Sequence, residues 1–340
     1  MRTENVTIDD VSAAAGVSKT TVSRYLNKKY EHMSEKTKAK IEQVIKELDF
    51  RPNLIARNLK SHKTGLIGII VSDITNPVTV QLIKGAIDYC TGEGYQVVTA
   101  SSDEDLGKER EYILSMVDRQ VEGLIMSLVD YNEFELLESL KDKGVKIVLA
   151  DRTISKPVLD MVTTNNYEMT KSAIHDLYKM GFEVVSLFSS DLLRSNVRVD
   201  RCNGFLNQSK QHVPAPEELT YIFSEDIEAE YTKALADFTG RNPGKRVAAF
   251  ASTPMALLNL VGAAHGLSLR IPEDIGVCGY DNLHWTRSVS GGISVVDQPF
   301  YEVGVESAKM LIKRIRDEYD NGVKYIELKS RLILRNSTKI

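Results

Sequence analysis

Five polar side chains recur at helical spacing in the stretch VSKTTVSRYLN, which runs from Val17 to Asn27. They are Lys19, Thr20, Ser23, Arg24 and Asn27. Residues three and four apart share one face of a helix, so these positions lie together, beside an apolar row of Val22 and Leu26. All five can donate hydrogen bonds, and none is a carboxylate. Such a face suits the base edges and phosphates of DNA, with an ordinary solvated helix face as the alternative.

Two capped helices and a glycine corner position this face. Thr7 suits a helix N-cap with Asp10 three residues later, and Gly16 ends that first helix. Ser18 caps a second helix over residues 19–27, and Ser34 caps a third. Two short helices joined at a glycine-containing corner are typical of a helix-turn-helix, whose second helix enters the DNA major groove.

The charge of the chain is unevenly distributed. The first 60 residues contain 12 Lys and Arg against 8 Asp and Glu, a net charge of +4, whereas the whole chain carries −4. The remaining residues therefore carry −8. A basic head on an acidic body indicates that the head contacts a polyanion and that the body has another role.

Length and composition exclude several classes of protein. At 340 residues the chain is long enough for two or three domains, and its 42% hydrophobic and 26% charged residues are typical of a soluble globular protein. We find no secretory signal and no apolar run of membrane length, so we expect a cytoplasmic protein. The three cysteines are far apart and lack metal-site spacing, which predicts buried thiols rather than disulfides or a zinc site. We expect no metal and no cofactor.

The body repeats one unit, a short apolar run that ends in small polar or acidic residues and is followed by a helical stretch. Seven of these runs cover residues 66–73, 95–102, 123–127, 145–151, 184–190, 247–253 and 275–281. Near-continuous apolar strands between helices predict parallel sheets that are covered on both faces. About ten such units are too many for one ordinary sheet, so we predict an α/β body of two doubly wound lobes.

Polar side chains stand where these strands end. They are Asp73, Ser127, Asp151, Ser190, Ser252 and Asp281. Ligands of open parallel sheets bind at the carboxyl ends of the strands, so we expect these side chains to face a common cleft. Hydroxyl and carboxylate groups in such a cleft suit a polyhydroxylated ligand, because each can pair with one sugar hydroxyl. Capping of the strand end is the alternative for any single residue.

The segment over residues 8–27, and TVSRYLN in particular, resembles the DNA-binding head of the lactose-repressor family. The resemblance continues through DFRPNLIARNLKSHKTGLIGII, which corresponds to the hinge of that family. It implies that the two hinge helices of a dimer lie in the minor groove, where Leu59 enters the central base step and kinks the DNA. An ordinary linker helix is the alternative. The predicted DNA-binding set is Thr7, Ser18, Lys19, Thr20, Ser23, Arg24, Asn27, Ala56, Leu59 and Lys60.

The body resembles the two-lobed sugar-binding fold of the same family, which is similar to periplasmic binding proteins. The resemblance implies that Arg201, in RCNGF, grips a ligand between the lobes. The predicted effector-binding set is Asp73, Ser127, Asp151, Arg152, Arg201, Ser252, Asp281, Gln298 and Phe300.

The class of effector is open between two alternatives. Arg152, Arg198 and Arg201 suit a ligand that carries a carboxylate, because guanidinium groups bind carboxylates through paired hydrogen bonds. The stretch NLHWTRSVSGGISVVDQP also resembles regulators of ketodeoxygluconate and related sugar acids. A neutral pentose or hexose is the alternative.

These observations predict a homodimeric, sequence-specific DNA-binding regulator, most simply a repressor of carbohydrate catabolism genes. An activator is one alternative, because the sign of regulation depends on the operator position. An enzyme of doubly wound fold is another, but we find no phosphate-binding glycine loop, no nucleophile elbow and no metal-spaced cluster among the six histidines. We predict a head over 1–50, a hinge over 51–63, one lobe from 64–163 plus 297–326, and a second lobe from 164–296 plus 327–340.

Overall fold

Three short helices form the head. The computed structural model describes residues 6–50, 64–132, 134–154, 156, 158–225 and 227–339, and the chain divides into a head, Met1–Thr64, and a body, Gly65–Ile340. The head helices are α1 (Ile8–Ala15), α2 (Lys19–Leu26) and α3 (Glu35–Glu47). Val11, Val22 and Ile41, one from each helix, are fully buried against one another.

Capping side chains set the ends of the head helices. The Asp10 N–H donates to Thr7 Oγ1 at 3.3 Å, and the Thr7 N–H donates to Asp10 Oδ2 at 2.7 Å. Gly16 ends α1 with a φ of 61°, in the left-handed region that glycine adopts without strain, and Ser18 then caps α2. The predicted helix-turn-helix is therefore confirmed.

The first lobe of the body is a parallel six-stranded sheet with helices on its faces. Its strands are β1 (Leu66–Val71), β2 (Gln96–Ser101), β3 (Gly123–Met126), β4 (Lys146–Ala150), β5 (Asp160–Thr164) and β11 (Tyr325–Leu328). Its helices are α4 (Pro77–Gly92), α5 (Leu106–Asp118), α6 (Glu135–Asp142) and α11 (Phe300–Ile315). The strand order is β11-β5-β4-β3-β1-β2. The central strands β3, β4 and β5 are buried almost throughout, which explains their near-continuous apolar sequences.

The second lobe repeats this plan. Its strands are β6 (Val184–Ser190), β7 (Thr220–Phe223), β8 (Val247–Ala251), β9 (Gly276–Tyr280), β10 (Ser294–Asp297) and β12 (Arg331–Ile333). Its helices are α7 (Asn166–Lys179), α8 (Asn196–Ser209), α9 (Glu228–Gly240) and α10 (Pro254–Gly266). The order is β12-β10-β9-β8-β6-β7, and β12 alone among these described strands runs antiparallel to its neighbour. The predicted two doubly wound lobes are confirmed.

The chain passes between the lobes three times, from β5 to α7, from β10 to α11 and from β11 to β12. Two of these crossovers are bonded to each other. The Asn165 N–H donates to the Leu328 carbonyl at 3.1 Å, and the Ser330 N–H donates to Asn165 Oδ1 at 2.8 Å. The predicted boundary at residue 326 falls inside β11, so the first lobe extends to the end of that strand.

Candidate functional site

The face of α2 that the sequence singled out lies at the surface of the head. Its exposed members are Lys19, Thr20, Arg24 and Asn27. Ser23 is half-buried, while Val22 on the other side of the helix is fully buried in the head core. The spacing of apolar and polar residues therefore places all five polar side chains as predicted on one side of the helix.

Two members of this face already have partners within the head. Lys19 Nζ lies 2.8 Å from Asp9 Oδ2 of α1, and Asn27 Nδ2 donates to the Ser23 carbonyl at 2.8 Å. The Lys19 and Asp9 side chains are 59% and 66% exposed, so their ion pair is screened by water and can be exchanged for a phosphate. The Thr7 and Ser18 hydroxyls serve as the helix caps, and the predicted residues Ala56, Leu59 and Lys60 lie outside the described residues.

The guanidinium of a buried arginine donates hydrogen bonds to three other segments of the second lobe. Arg201, on α8, is 4% exposed. Its Nε donates to Asn166 Oδ1 at 2.8 Å, one terminal nitrogen donates to the Ser252 carbonyl at 2.6 Å, and the other donates to Gln298 Oε1 at 3.1 Å. The guanidinium also lies over the Tyr280 ring, with 3.6 Å between Cζ and the ring centroid. These contacts fix the plane of the guanidinium.

Gln298 links this arginine to both lobes. Its Oε1 also accepts a hydrogen bond from Thr164 Oγ1 at 2.8 Å, at the end of β5, and its Nε2 donates to Asp281 Oδ1 at 2.7 Å. Both Thr164 and Gln298 border crossovers, so the arginine network reaches two of the segments that connect the lobes. Burial raises the pKa of Asp281 to about 6, although Arg201 and the hydrogen bond from Gln298 oppose the shift.

Two aspartates stand at equivalent places in the two lobes. Asp151 follows β4 with a φ of 67°, and Asp281 follows β9 with a φ of 77°. This left-handed conformation is uncommon outside glycine and is concentrated at functional sites. Asp151 Oδ1 is buried and accepts no hydrogen bond from any residue that the structure describes. Burial raises the pKa of Asp151, and the positive charge of Arg201 opposes this shift more strongly than those of Arg152 and Arg198.

Arg152 has a different environment from the one predicted. Its two terminal nitrogens contact the Glu104 carboxylate at 2.9 and 2.5 Å, and one also donates to the Leu128 carbonyl at 3.1 Å. Burial opposes ionisation of Glu104, but the hydrogen bonds from Arg152 and the positive charges of Arg152 and Arg198 together lower its pKa. Arg152 is thus occupied in the first lobe, and an anionic ligand would have to displace Glu104.

The other predicted effector residues fall into two groups. Ser127 is buried at the end of β3, and Phe300 is buried beside Gln298. Two are engaged with neighbours: Asp73 Oδ1 accepts from the Thr75 N–H at 2.8 Å, and Ser252 Oγ donates to Ser189 Oγ at 2.6 Å. Ser252 therefore contributes its carbonyl to Arg201 rather than its hydroxyl to the cleft.

A cavity of about 630 Å³ opens between the lobes next to this network. Asp281, Gln298 and Phe300 line it, together with Pro77 and Gln81 of the first lobe. The other predicted effector residues do not line this cavity; they are Asp73, Ser127, Asp151, Arg152, Arg201 and Ser252. Its remaining walls include His284, Arg287, Lys329 and Arg331. The volume suits a small molecule, and the wall offers both hydrogen-bond donors and acceptors.

Sequence reasoning did not single out Glu104, Asn166, Thr164 or Tyr280. Asn166 and Tyr280 fix the plane of Arg201, and the Tyr280 hydroxyl in turn lies 2.7 Å from Thr170 Oγ1. Tyr280 directly precedes Asp281, so a strand-end search that extended one residue inward would have found it. Nothing in the local sequence around Glu104 marks it, because its partner is 48 residues away.

The three cysteines are buried free thiols, as predicted. Within the described ranges, no three His, Cys, Asp or Glu side chains gather as a metal site. No helix in that part of the chain is long and apolar enough to span a membrane.

The exposed donor face on a helix-turn-helix and the polar cleft between two lobes define a class of protein: a DNA-binding regulator with a small-molecule-binding body. Residues 7–53 match the family described as bacterial regulatory proteins, lacI family, and residues 67–318 match the periplasmic binding protein domain. The chain belongs to the lacI family.

Similar proteins span its whole length. The HTH-type transcriptional regulator KdgR of Bacillus subtilis (strain 168) is 34% identical over 337 residues, which cover 98% of both chains. The ribose operon repressor of Halalkalibacterium halodurans is 30% identical and covers 98% of this chain and 97% of its own. The lac repressor dimer bound to operator and an anti-inducer has the same fold, with a TM-score of 0.85 at 21% identity, covering 98% of this chain and 99% of that chain.

Proposed function

We propose that this regulator is a repressor of carbohydrate catabolism genes whose operator affinity is controlled by a sugar or sugar acid bound between the lobes. The observation that carries the proposal is the hydrogen-bonded path from Arg201 through Gln298 to Thr164 at a crossover. A ligand that contacts this path contacts the segment on which lobe movement depends. It can therefore bind one lobe arrangement better than another, which is the requirement for any ligand-driven switch.

The head supplies the DNA contacts of the proposal. Lys19 and Thr20 lie in the first turn of α2, whose N-terminal residues reach base edges when such a helix enters the major groove. Arg24 is one turn further on and can contact a base or a phosphate. The hinge over 51–63 is proposed, by resemblance to the family, to enter the minor groove when two chains bind together.

The chemistry of the cleft favours a polyhydroxylated effector. Asp281 lines the cavity and offers an acceptor that Gln298 holds in place, and Asp151, outside the cavity wall, offers a buried oxygen without a described partner. Arg201 also lies behind the wall, and it would offer the N–H groups that its bonds to Asn166, Ser252 and Gln298 leave over. A set of fixed acceptors and donors discriminates sugars by the positions of their hydroxyls. The name of one relative, the ribose operon repressor, agrees with this class of ligand.

Neutral sugars and sugar acids differ in what they require of Arg152. A carboxylate at that position must compete with Glu104, which already makes two contacts with the guanidinium. A neutral sugar leaves the pair intact. Glu104→Gln weakens the competing partner, so it should raise affinity for a sugar acid that uses Arg152 and leave affinity for a neutral sugar unchanged.

A thermal-shift screen of the full chain tests the proposal. D-Ribose, D-glucose, D-gluconate and D-glucuronate are suitable first probes, because a ligand that binds only the folded chain raises Tm by mass action. Each stabilising compound is then added to operator-binding assays with DNA selected by the protein itself. The proposal predicts that a stabilising compound lowers operator affinity. A stabilising compound that raises operator affinity would make it a co-repressor.

Activation of transcription is the second candidate function. The same protein would activate if its operator lay upstream of the promoter rather than across it. Mapping the selected operators relative to promoters separates the two outcomes.

A further inference from the structure

We propose that Thr153 and Asn196 form a latch between the two lobes that favours lobe closure independently of any ligand. This inference concerns the regulation of the cleft and rests on the proposed function for its biological meaning. The Thr153 N–H donates to Asn196 Oδ1 at 3.1 Å, and Asn196 Nδ2 donates back to Thr153 Oγ1 at 2.8 Å. Thr153 follows β4 in the first lobe, and Asn196 begins α8 in the second.

A second contact between the lobes lies on neighbouring loops. The Tyr131 N–H, after β3 in the first lobe, donates to the Arg194 carbonyl, before α8 in the second, at 3.3 Å. The loop of Tyr131 is held from its own lobe, because Arg152 donates to the Leu128 carbonyl and the Val129 N–H donates to Glu109 Oε2 at 2.8 Å. Because these contacts hold the Tyr131 loop in the first lobe, we expect the loop to move together with that lobe.

The latch lies close in the chain to proposed effector-binding residues of both lobes. Thr153 is two residues after Asp151, and Asn196 precedes Arg201 on the same helix. The latch therefore joins the segments that carry the proposed effector-binding side chains of the two lobes. It is separate in the chain from all three crossovers, so its loss leaves the covalent and hydrogen-bonded connections there unchanged.

Both latch residues are shielded enough for their hydrogen bonds to matter. Thr153 is 7% exposed and Asn196 is half-buried. The net contribution of a typical intramolecular hydrogen bond corresponds to a factor of about five in an equilibrium constant. Two such bonds would shift the balance between closed and open lobes by roughly 25-fold. A shift of that size changes how much of the free energy of lobe closure an effector has to supply.

Hydrogen exchange of the full chain without added ligand tests the latch. The Tyr131 amide is the reporter, because its acceptor on Arg194 is untouched by changes at Thr153 or Asn196. Exchange of an amide that opens locally rises in proportion to the opening constant. Thr153→Val removes one latch bond and should raise Tyr131 exchange about fivefold, and Asn196→Ala removes both and should raise it about 25-fold.

The variants form a nested set that distinguishes the latch from general destabilisation. The double variant Thr153→Val with Asn196→Ala should match Asn196→Ala alone, because no latch bond remains for the second change to remove. Thr153→Ser keeps the hydroxyl and Asn203→Ala alters an exposed residue of the same helix, so both should leave Tyr131 exchange unchanged. Amides of β8, inside the second lobe, serve as the measure of unfolding and should stay protected in every variant.

Unchanged Tyr131 exchange in Asn196→Ala would overturn the proposal, as would a double variant whose effect is the product of the two single effects. Failure of the proposed function would show in the thermal-shift screen instead. In that case no sugar or sugar acid would stabilise the wild-type chain, whatever the exchange result. If D-ribose or another probe binds the closed form, Asn196→Ala should weaken its apparent affinity by the factor by which the closed population falls, because only that population binds.

Discussion

Lys19 and Thr20 are the residues at which base reading is most directly testable. They begin α2 and are exposed, and Lys19 is held only by a solvent-screened ion pair to Asp9. Replacing both by alanine should change which operator is preferred in a binding-site selection, with about 1 to 3 kcal/mol lost for each specific base contact. Lys36→Ala, on α3, is the control for loss of one positive charge. An unchanged preference would exclude α2 as the reading helix.

Glu109 gives the body a predictable dependence on pH. It is 4% exposed, and burial raises its pKa to about 7, although the hydrogen bond from the Val129 N–H and the charge of Arg152 oppose the shift. The folded chain then binds the proton more tightly than the unfolded chain, where the pKa is near 4.5. Glu109 therefore reduces stability progressively as pH rises from about 4.5 to about 7.

Glu109→Gln should remove this slope. Urea denaturation at several pH values should show that wild type loses up to about 3 kcal/mol more unfolding free energy across that range than the variant does. Glu111→Gln, exposed on the same helix, is the matched control. Equal slopes for wild type and Glu109→Gln would mean that Glu109 stays ionised in the fold.

At the scale of elements, the crossing of α4 and α11 depends on two glycines. A Cβ at Gly85 would overlap the Tyr301 carbonyl, and one at Gly304 would overlap the Leu82 carbonyl. Gly85→Ala should therefore lower the unfolding free energy by about 1 to 3 kcal/mol through overpacking. Gly92, at the end of the same helix, has open space around it, so Gly92→Ala should be neutral or slightly stabilising. Chemical denaturation of the two variants compares them directly, and equal stability would contradict the close crossing.

Strands with long apolar runs could be predicted from the sequence, but the sheet to which each strand belongs could not. VVSLFSS is buried throughout and forms β6 over the whole predicted run. The run YIELKSRLILR instead divides between β11 and β12, which belong to different sheets, because the chain crosses between lobes at residues 329 and 330. Periodicity reports burial along a segment, and it carries no information on which sheet provides the burial.

The same limit applies to the cleft. Strand-end polar residues identified Asp151 and Asp281, since parallel strands bring their carboxyl ends to one edge. Glu104 was not identifiable, because its role comes from contact with Arg152, which lies on another strand end. Ser252 was assigned through its hydroxyl, whereas the fold uses its carbonyl. Sequence pattern thus located the segments of the site, and only tertiary contacts assigned the atoms.

At the scale of the molecule, the body has an apolar edge suited to a second copy of the chain. The edge strands β2 and β7 and the neighbouring helices expose large apolar side chains. These are Ile74, Val80 and Val98 in the first lobe and Ile222, Ile227, Met255 and Leu258 in the second. Val98 lies on β2 and Ile222 on β7, and we expect the exposed apolar residues near these edge strands to form a protein interface.

Dimer formation through that edge is testable by charge insertion. Val98→Asp combined with Leu258→Asp should convert a dimer to a monomer in analytical ultracentrifugation, because both charges would be buried without partners. Leu334→Asp, after the opposite edge strand β12, should leave the dimer intact. A double variant that sediments as wild type would exclude this edge as the interface.

The account rests on coupling between the cleft and the DNA-binding head, and one comparison tests it most directly. Operator affinity is measured with and without a stabilising sugar or sugar acid for wild type, for Arg201→Ala and for the exposed control Arg241→Ala. Wild type and Arg241→Ala should change affinity by about 5- to 150-fold on adding the compound, the range of typical allosteric couplings. Arg201→Ala should still bind operator and should not respond. A full response in Arg201→Ala would contradict the role assigned to the Arg201 network.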